Sequence, residues 1–172
     1  MTIGTVVLLP KAQLPDDSAG GSATDPAAER REIAADLMAH GVNVYVVPDA
    51  PAADGLDLRT ATAHWVAHNA MTLTAEQPEK PLMLVAFGGA GQLLAALGFS
   101  QKASRRPVAS YVVVDGTIPK AGSADWPDAP VSYISSSTEP PAGPAREAEL
   151  RGWTVEQSPD VAATLRTILT DS

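Results

Sequence analysis

The stretch Met83-Leu84-Val85-Ala86-Phe87-Gly88-Gly89-Ala90-Gly91 reads as a buried apolar strand that breaks into small residues. Gln92-Leu93-Leu94-Ala95-Ala96-Leu97 follows at once with helical composition. Strand, sharp glycine turn and helix therefore succeed one another without interruption. The apex of such a turn sits in sparsely allowed backbone space, at a cost of about 1–3 kcal/mol for an ordinary residue. Gly88, with no Cβ, accepts that conformation without strain.

Working outward, apolar runs alternate with helical patterns along the chain, the signature of a mostly parallel sheet covered on both faces. Strands are expected at residues 5–9, 43–47, 82–86, 109–114, 131–135 and 154–157. The first five are rich in Val, Leu, Ile and Tyr with little alternation, as in strands buried on both faces. Residues 154–157 are short and polar and belong at an edge. Asp25 is expected to cap a helix that begins with Pro26 and stops at Gly41. A second helix is expected over 58–73, with Leu58, Thr62, Trp65, Asn69 and Leu73 along one side. A third runs from Gly89 or Ala90 to about Leu97 and ends at Gly98, leaving Ser100 in a loop. A fourth covers about 144–151 and stops at Gly152. The last takes Ser158 as N-cap, Pro159 at its first position and Asp160 against the positive dipole end, and continues to about Leu169. Of the loops, 11–24 mixes Pro, Asp, Ser and Gly and is expected to be mobile. The other, 116–130, carries three prolines and an isolated Trp126. With no internal repeat and no second composition, 1–172 reads as one domain.

Bulk properties narrow the function classes. A chain of 172 residues with 45% hydrophobic and 19% charged residues can bury a core without disulfides or metal. Its net charge of -8 argues against a nucleic-acid partner, which needs a basic stripe, and against an anionic membrane surface. There is no cysteine, hence no thiolate nucleophile and no zinc–thiolate cluster. The N-terminal run is strand-length without a basic leader, and no segment is long and apolar enough to span a bilayer. A soluble, cytoplasmic protein is expected, and the wealth of Ala, Pro, Gly, Asp and Arg matches a high-GC bacterial genome.

Several further stretches fall into order around the glycine turn. They are Val7-Leu8-Leu9 before a loop and helix, Ala39-His40-Gly41-Val42-Asn43-Val44, and Tyr111-Val112-Val113-Val114-Asp115-Gly116. Trp126-Pro127-Asp128-Ala129-Pro130-Val131 and Arg151-Gly152-Trp153-Thr154-Val155 follow. In this order and spacing the chain resembles the α/β-hydrolase superfamily over nearly its whole length, in particular the short hydrolases common in actinobacteria. The resemblance implies a three-layer α/β sandwich, here truncated at its N-terminus and without a lid domain.

The departures from that pattern bear on chemistry. The family attacks with the serine of G-x-S-x-G, oriented by an acid and a histidine that follow in chain order. Gly88 stands at the apex here, so the reactive oxygen is missing. After the strand at 131–135, where the family's acid usually lies, Ser135-Ser136-Ser137-Thr138-Glu139 offers only Glu139. Between the last strand and the last helix there are only Gln157-Ser158-Pro159, and His40, His64 and His68 all precede the turn. Pro10-Lys11 replaces the His-Gly pair common in the oxyanion loop. A triad acts as a unit, so conventional serine hydrolysis is not expected.

What remains allows two readings at each position. The N–H groups of Gly89 and Ala90 could still bind a carbonyl oxygen or anion, or the glycines could merely permit a tight turn. Their spacing fits neither a dinucleotide fingerprint nor a P-loop. Asp115, at the carboxyl edge of the sheet, is the surviving ionisable candidate for catalysis, or a turn residue bonded to the backbone of Gly116-Thr117. His64 and His68 have the i,i+4 spacing of a metal pair but no third ligand in view, so no metal or cofactor is expected. Phe87 and Trp126 could line and cover a pocket or simply be packed.

The expectation is a catalytically degenerate α/β-hydrolase-like protein that binds a small apolar or aromatic molecule. Its ligand site would comprise Phe87, Gly88, Gly89, Asp115 and Trp126, and its setting would be bacterial secondary metabolism, as accessory protein or non-hydrolytic enzyme. Two alternatives stand beside it. One is an interaction module forming a homodimer through the edge strand or flanking helices. The other is a residual esterase or thioesterase using Asp115, Glu139 or an upstream histidine.

Overall fold

The central strand of the quoted stretch, β3 (Leu82–Phe87), lies inside a six-stranded sheet in which every neighbouring pair is parallel. The computed structural model describes residues 2–12, 25–50, 55–121 and 126–172. Before β3 come β1 (Thr5–Leu8), α1 (Pro26–Ala39), β2 (Val44–Val46) and α2 (Leu58–Glu76). After it come a 3-10 turn (Gly88–Leu93), α3 (Leu94–Ala103), β4 (Val108–Val114) and β5 (Val131–Ser135). The chain then forms α4 (Pro144–Leu150), β6 (Thr154–Gln157) and α5 (Val161–Asp171). Strand order is β2-β1-β3-β4-β5-β6. The chain steps outward from β1 to β2 and then returns to the other side of β1, so the order reverses between β1 and β3.

Period-two alternation within the strands divides the core into two layers. Val6, Leu8, Met83, Val85, Val112 and Val114 face α1 and α5, packing on Ile33, Leu37, Val161 and Leu165. Val7, Leu82, Leu84, Ala86, Tyr111 and Val113 face the opposite side, against Trp65 and Leu73 of α2, Leu94 and Leu97 of α3, and Ala145 and Ala148 of α4. This is a three-layer α/β sandwich with an all-parallel sheet. The near-continuous apolar strands follow from burial on both faces. As expected, β6 is an edge strand, and its residues are mostly exposed.

Several helix ends have different physical origins from those expected. Asp25 caps α1 as expected, accepting from the Ala27 N–H at 3.0 Å. α2 continues to Glu76, and Gln77 closes it in the left-handed region (φ 47°). Leu58 is 52% exposed, whereas Trp65, Asn69 and Leu73 are buried. α3 does not stop at Gly98 but passes through it to Ala103, so Ser100 is helical. A Cβ on Gly98 would lie 2.2 Å from the Tyr111 hydroxyl oxygen, so this glycine permits close packing and does not end the helix. At α5 the cap is Asp160, whose carboxylate accepts from the Ala163 N–H at 2.9 Å. Ser158 stands two residues earlier, its Oγ accepting from the Asp160 N–H. Most of the loop expected to be mobile, residues 13–24, lies outside the described residues, as do 122–125 of the loop after β4.

Candidate functional site

The turn after β3 is built from backbone packed on backbone. Gly88 has φ +57°, and a Cβ placed there meets nothing within 4 Å. Its neighbours have no such room. A Cβ on Gly116 would lie 2.2 Å from the Gly88 carbonyl oxygen, and one on Gly91 would lie 2.1 Å from that of Thr117. The Thr117 N–H donates to the Gly88 carbonyl at 3.3 Å. The turn after β3 and the start of the segment after β4 are thus held together, while the space directly over Gly88 stays open.

Asp115 lies beside this junction, exposed, with φ 46°. Its Oδ1 accepts from the Ser136 N–H at 2.8 Å, and its own N–H donates to the Ile134 carbonyl at 2.9 Å. The carboxylate therefore joins the ends of β4 and β5. Gly116 is held by a different group, the Tyr133 hydroxyl, which donates to its carbonyl at 2.8 Å. Burial, and then the nearby Asp115 charge, push the Tyr133 phenol up to about 12. Glu29, in the first turn of α1, has its carboxyl raised by burial and next by the same Asp115 charge.

A cleft of about 700 Å³ opens between the start of α2, the 3-10 turn with α3, and the segment after β4. These segments follow β2, β3 and β4, and the cleft runs along α3 from the 3-10 turn to Lys102 and Ala103, with Trp126 and Asp128 just before β5. Its walls are mainly apolar, including Leu58, Leu93, Ala96, Phe99, Ile118 and Trp126. Phe99 is 70% exposed, unusual for so large an apolar side chain. Trp126 is held in place by neighbouring rings, edge-on to Tyr111 (centroids 5.4 Å apart) and to Trp153 (5.6 Å). The Tyr111 hydroxyl donates to Asp128 Oδ1 at 2.8 Å, and burial, reinforced by Asp128, raises its pKa. Among the described residues the buried Trp126 Nε1 has no hydrogen-bond partner, and the indole contributes its ring to the wall.

The five residues expected to form a ligand site are thus distributed. Trp126 lines the cleft. Gly88, Gly89 and Asp115 lie at the junction of the β3 and β4 ends, outside the cleft lining. Phe87 shares the side of β3 occupied by Met83 and Val85 and packs toward the α1 and α5 layer. Leu58, Phe99 and Ile118 were not anticipated as lining residues. The other ionisable candidates stand apart from the cleft. His64 is exposed on α2, His68 donates from Nε2 to the Pro48 carbonyl at 2.9 Å, and His40 donates from Nδ1 to the Asp36 carbonyl at 2.8 Å. Glu139 is exposed in the segment after β5. Among the described residues no group of three or more His, Cys, Asp or Glu could hold a metal ion, and no helix is long and apolar enough to cross a membrane.

Compared with protein-family models, with curated proteins and with solved structures, the chain matches none.

Proposed function

We propose that this protein binds a small apolar or aromatic molecule in the cleft walled by Leu58, Phe99, Ile118 and Trp126, on an α/β-hydrolase-like frame without hydrolytic groups. The observation that carries the reading is the cleft itself. Its volume of about 700 Å³ falls within the range of small-molecule sites, and its walls are mainly apolar. The hydrolase-like frame is supported by a strand, tight turn and helix in which Gly88 takes positive φ with open space above it, the arrangement a nucleophile elbow requires. Loss of hydrolysis is supported by the missing side chain at Gly88 and by the placement of His40 and His68, each bonded to a backbone carbonyl. An accessory or non-hydrolytic role in bacterial secondary metabolism would suit such a site.

The test is a thermal-shift screen against aryl esters, acyl thioesters, fatty acids and aromatic polyketides. A ligand at 100 times its Kd adds about 2.7 kcal/mol of stability and raises the melting temperature. The expected result is a saturable shift that Trp126→Ala and Ile118→Glu both weaken. Phe87→Ala, on the other layer, should leave affinity unchanged. No saturable shift, or one that neither cleft variant weakens, overturns the assignment.

A further inference from the structure

The cleft is apolar, yet its rim carries charge opposite to that of the molecule. The chain has 20 acidic residues against 12 basic ones. Among the described residues the ionisable groups lining the cleft are Lys102 at the end of α3, Lys120 on the segment after β4, and Asp128. Both lysines are exposed, and among the described residues the ion pairs use arginine or histidine, never lysine. Asp128 is partly engaged, with Oδ1 taking the Tyr111 proton donor. Two lysines from two different segments thus line one apolar cleft, with a single, already bonded carboxylate among the described lining residues. Among the described lining residues the balance of charge is therefore opposite in sign to that of the acidic chain.

We infer that the ligand is an amphipathic anion, an apolar body with one carboxylate, whose body lies against Trp126, Phe99 and Ile118 and whose head sits between Lys102 and Lys120. The inference rests on the cleft being a binding site and adds the charge class of its occupant. Apolar surface supplies most of the affinity, because exposed ion pairs contribute little individually. The lysines supply selection for the ionised head and attract it from solution. Lys102 also lies in the last turn of α3, where a positive charge offsets the helix dipole. Loss of stability on replacing it is therefore no test, and the discriminating quantity is a ratio of affinities.

The experiment is calorimetric titration with two matched pairs, 2-naphthoate against 2-naphthamide and decanoate against decanamide. The protein is wild type or the double variant Lys102→Gln, Lys120→Gln. For at least one pair the wild type should prefer the carboxylate by about fivefold, as two exposed ion pairs would give. The double variant should bring that preference to near unity while the amide binds as before. Raised salt should weaken the carboxylate alone. Equal binding of acid and amide by the wild type, or a preference that survives in the double variant, overturns the inference and leaves the cleft reading intact. Binding of neither member of either pair overturns both.

Discussion

Gly98 and Tyr111 are fitted so closely that a Cβ on the glycine would stand 2.2 Å from the phenolic oxygen. The phenol in turn donates to Asp128 at 2.8 Å and stacks edge-on against Trp126. Helix α3, strand β4 and the cleft wall are thereby joined through one side chain. Gly98→Ala should displace the Tyr111 hydroxyl and overpack the layer, costing about 1–3 kcal/mol despite the better helix propensity of alanine. A lower urea midpoint at unchanged slope checks it. A more stable variant would mean that the tyrosine yields freely.

Gly88 and Gly116 touch one another but should respond differently. At Gly88 a new side chain enters open space, so Gly88→Ser costs only the strain of positive φ, about 1–3 kcal/mol. At Gly116 a Cβ meets the Gly88 carbonyl, so Gly116→Ala should cost more than Gly88→Ser in the same denaturation series. Gly88→Ser should also leave aryl-ester hydrolysis at background, since His40 and His68 are each bonded to a backbone carbonyl and His64 is exposed on α2. A burst of product from that variant would reveal a base elsewhere.

The three tyrosines set an alkaline limit on stability. Tyr133 is pushed up to about 12, and Tyr111 and Tyr45 are also raised, each chiefly by burial. In the unfolded chain they ionise near their ordinary value of about 10. The native state binds their protons more tightly, so this contribution is complete below about pH 10 and fades as pH rises through the folded values. Urea stability should fall between about pH 10 and 12, and less steeply in Tyr133→Phe. Tyrosinate absorbance should appear later in the native than in the unfolded titration, with the half-buried Tyr45 first. Coincident titrations would contradict the burial of all three.

The start of α5 separates two adjacent caps. Asp160 accepts from the Ala163 N–H, whereas Ser158 bonds only the Asp160 N–H before the helix begins. Asp160→Ala should cost about 1 kcal/mol and Ser158→Ala clearly less, read from urea midpoints. The reverse order would return the cap to Ser158.

The inner strands were legible because burial on both faces writes them as runs rich in Val, Leu, Ile and Tyr, and the polar β6 was legible as a short edge strand. All six fall within about a residue of the expected ranges. The end of α3 was not legible, because the meaning of Gly98 depends on a tyrosine in the next strand. Phe87 illustrates an intermediate case. Alternation along β3 groups it with Met83 and Val85, but the sequence does not state which helices cover that side. The cleft was the least visible feature. Its walls come from three segments around positions 58, 99 and 118, none carrying a motif, and only the fold brings them together. Trp126 stood out because a lone tryptophan in a proline-rich loop needs something to rest on.

The ring sequence Tyr111, Trp126, Trp153, with the Arg151 guanidinium 5.3 Å from the last, runs from the cleft wall to the edge of the sheet. At such separations the two indoles exchange excitation energy faster than they emit. Trp65, the chain's third tryptophan, is buried on α2 with its N–H on the Pro10 carbonyl at 3.2 Å. Light absorbed by Trp126 is therefore shared with Trp153, and a ligand bound as proposed against Trp126 would alter the emission of both. Tryptophan emission would then report occupancy of the cleft without a label.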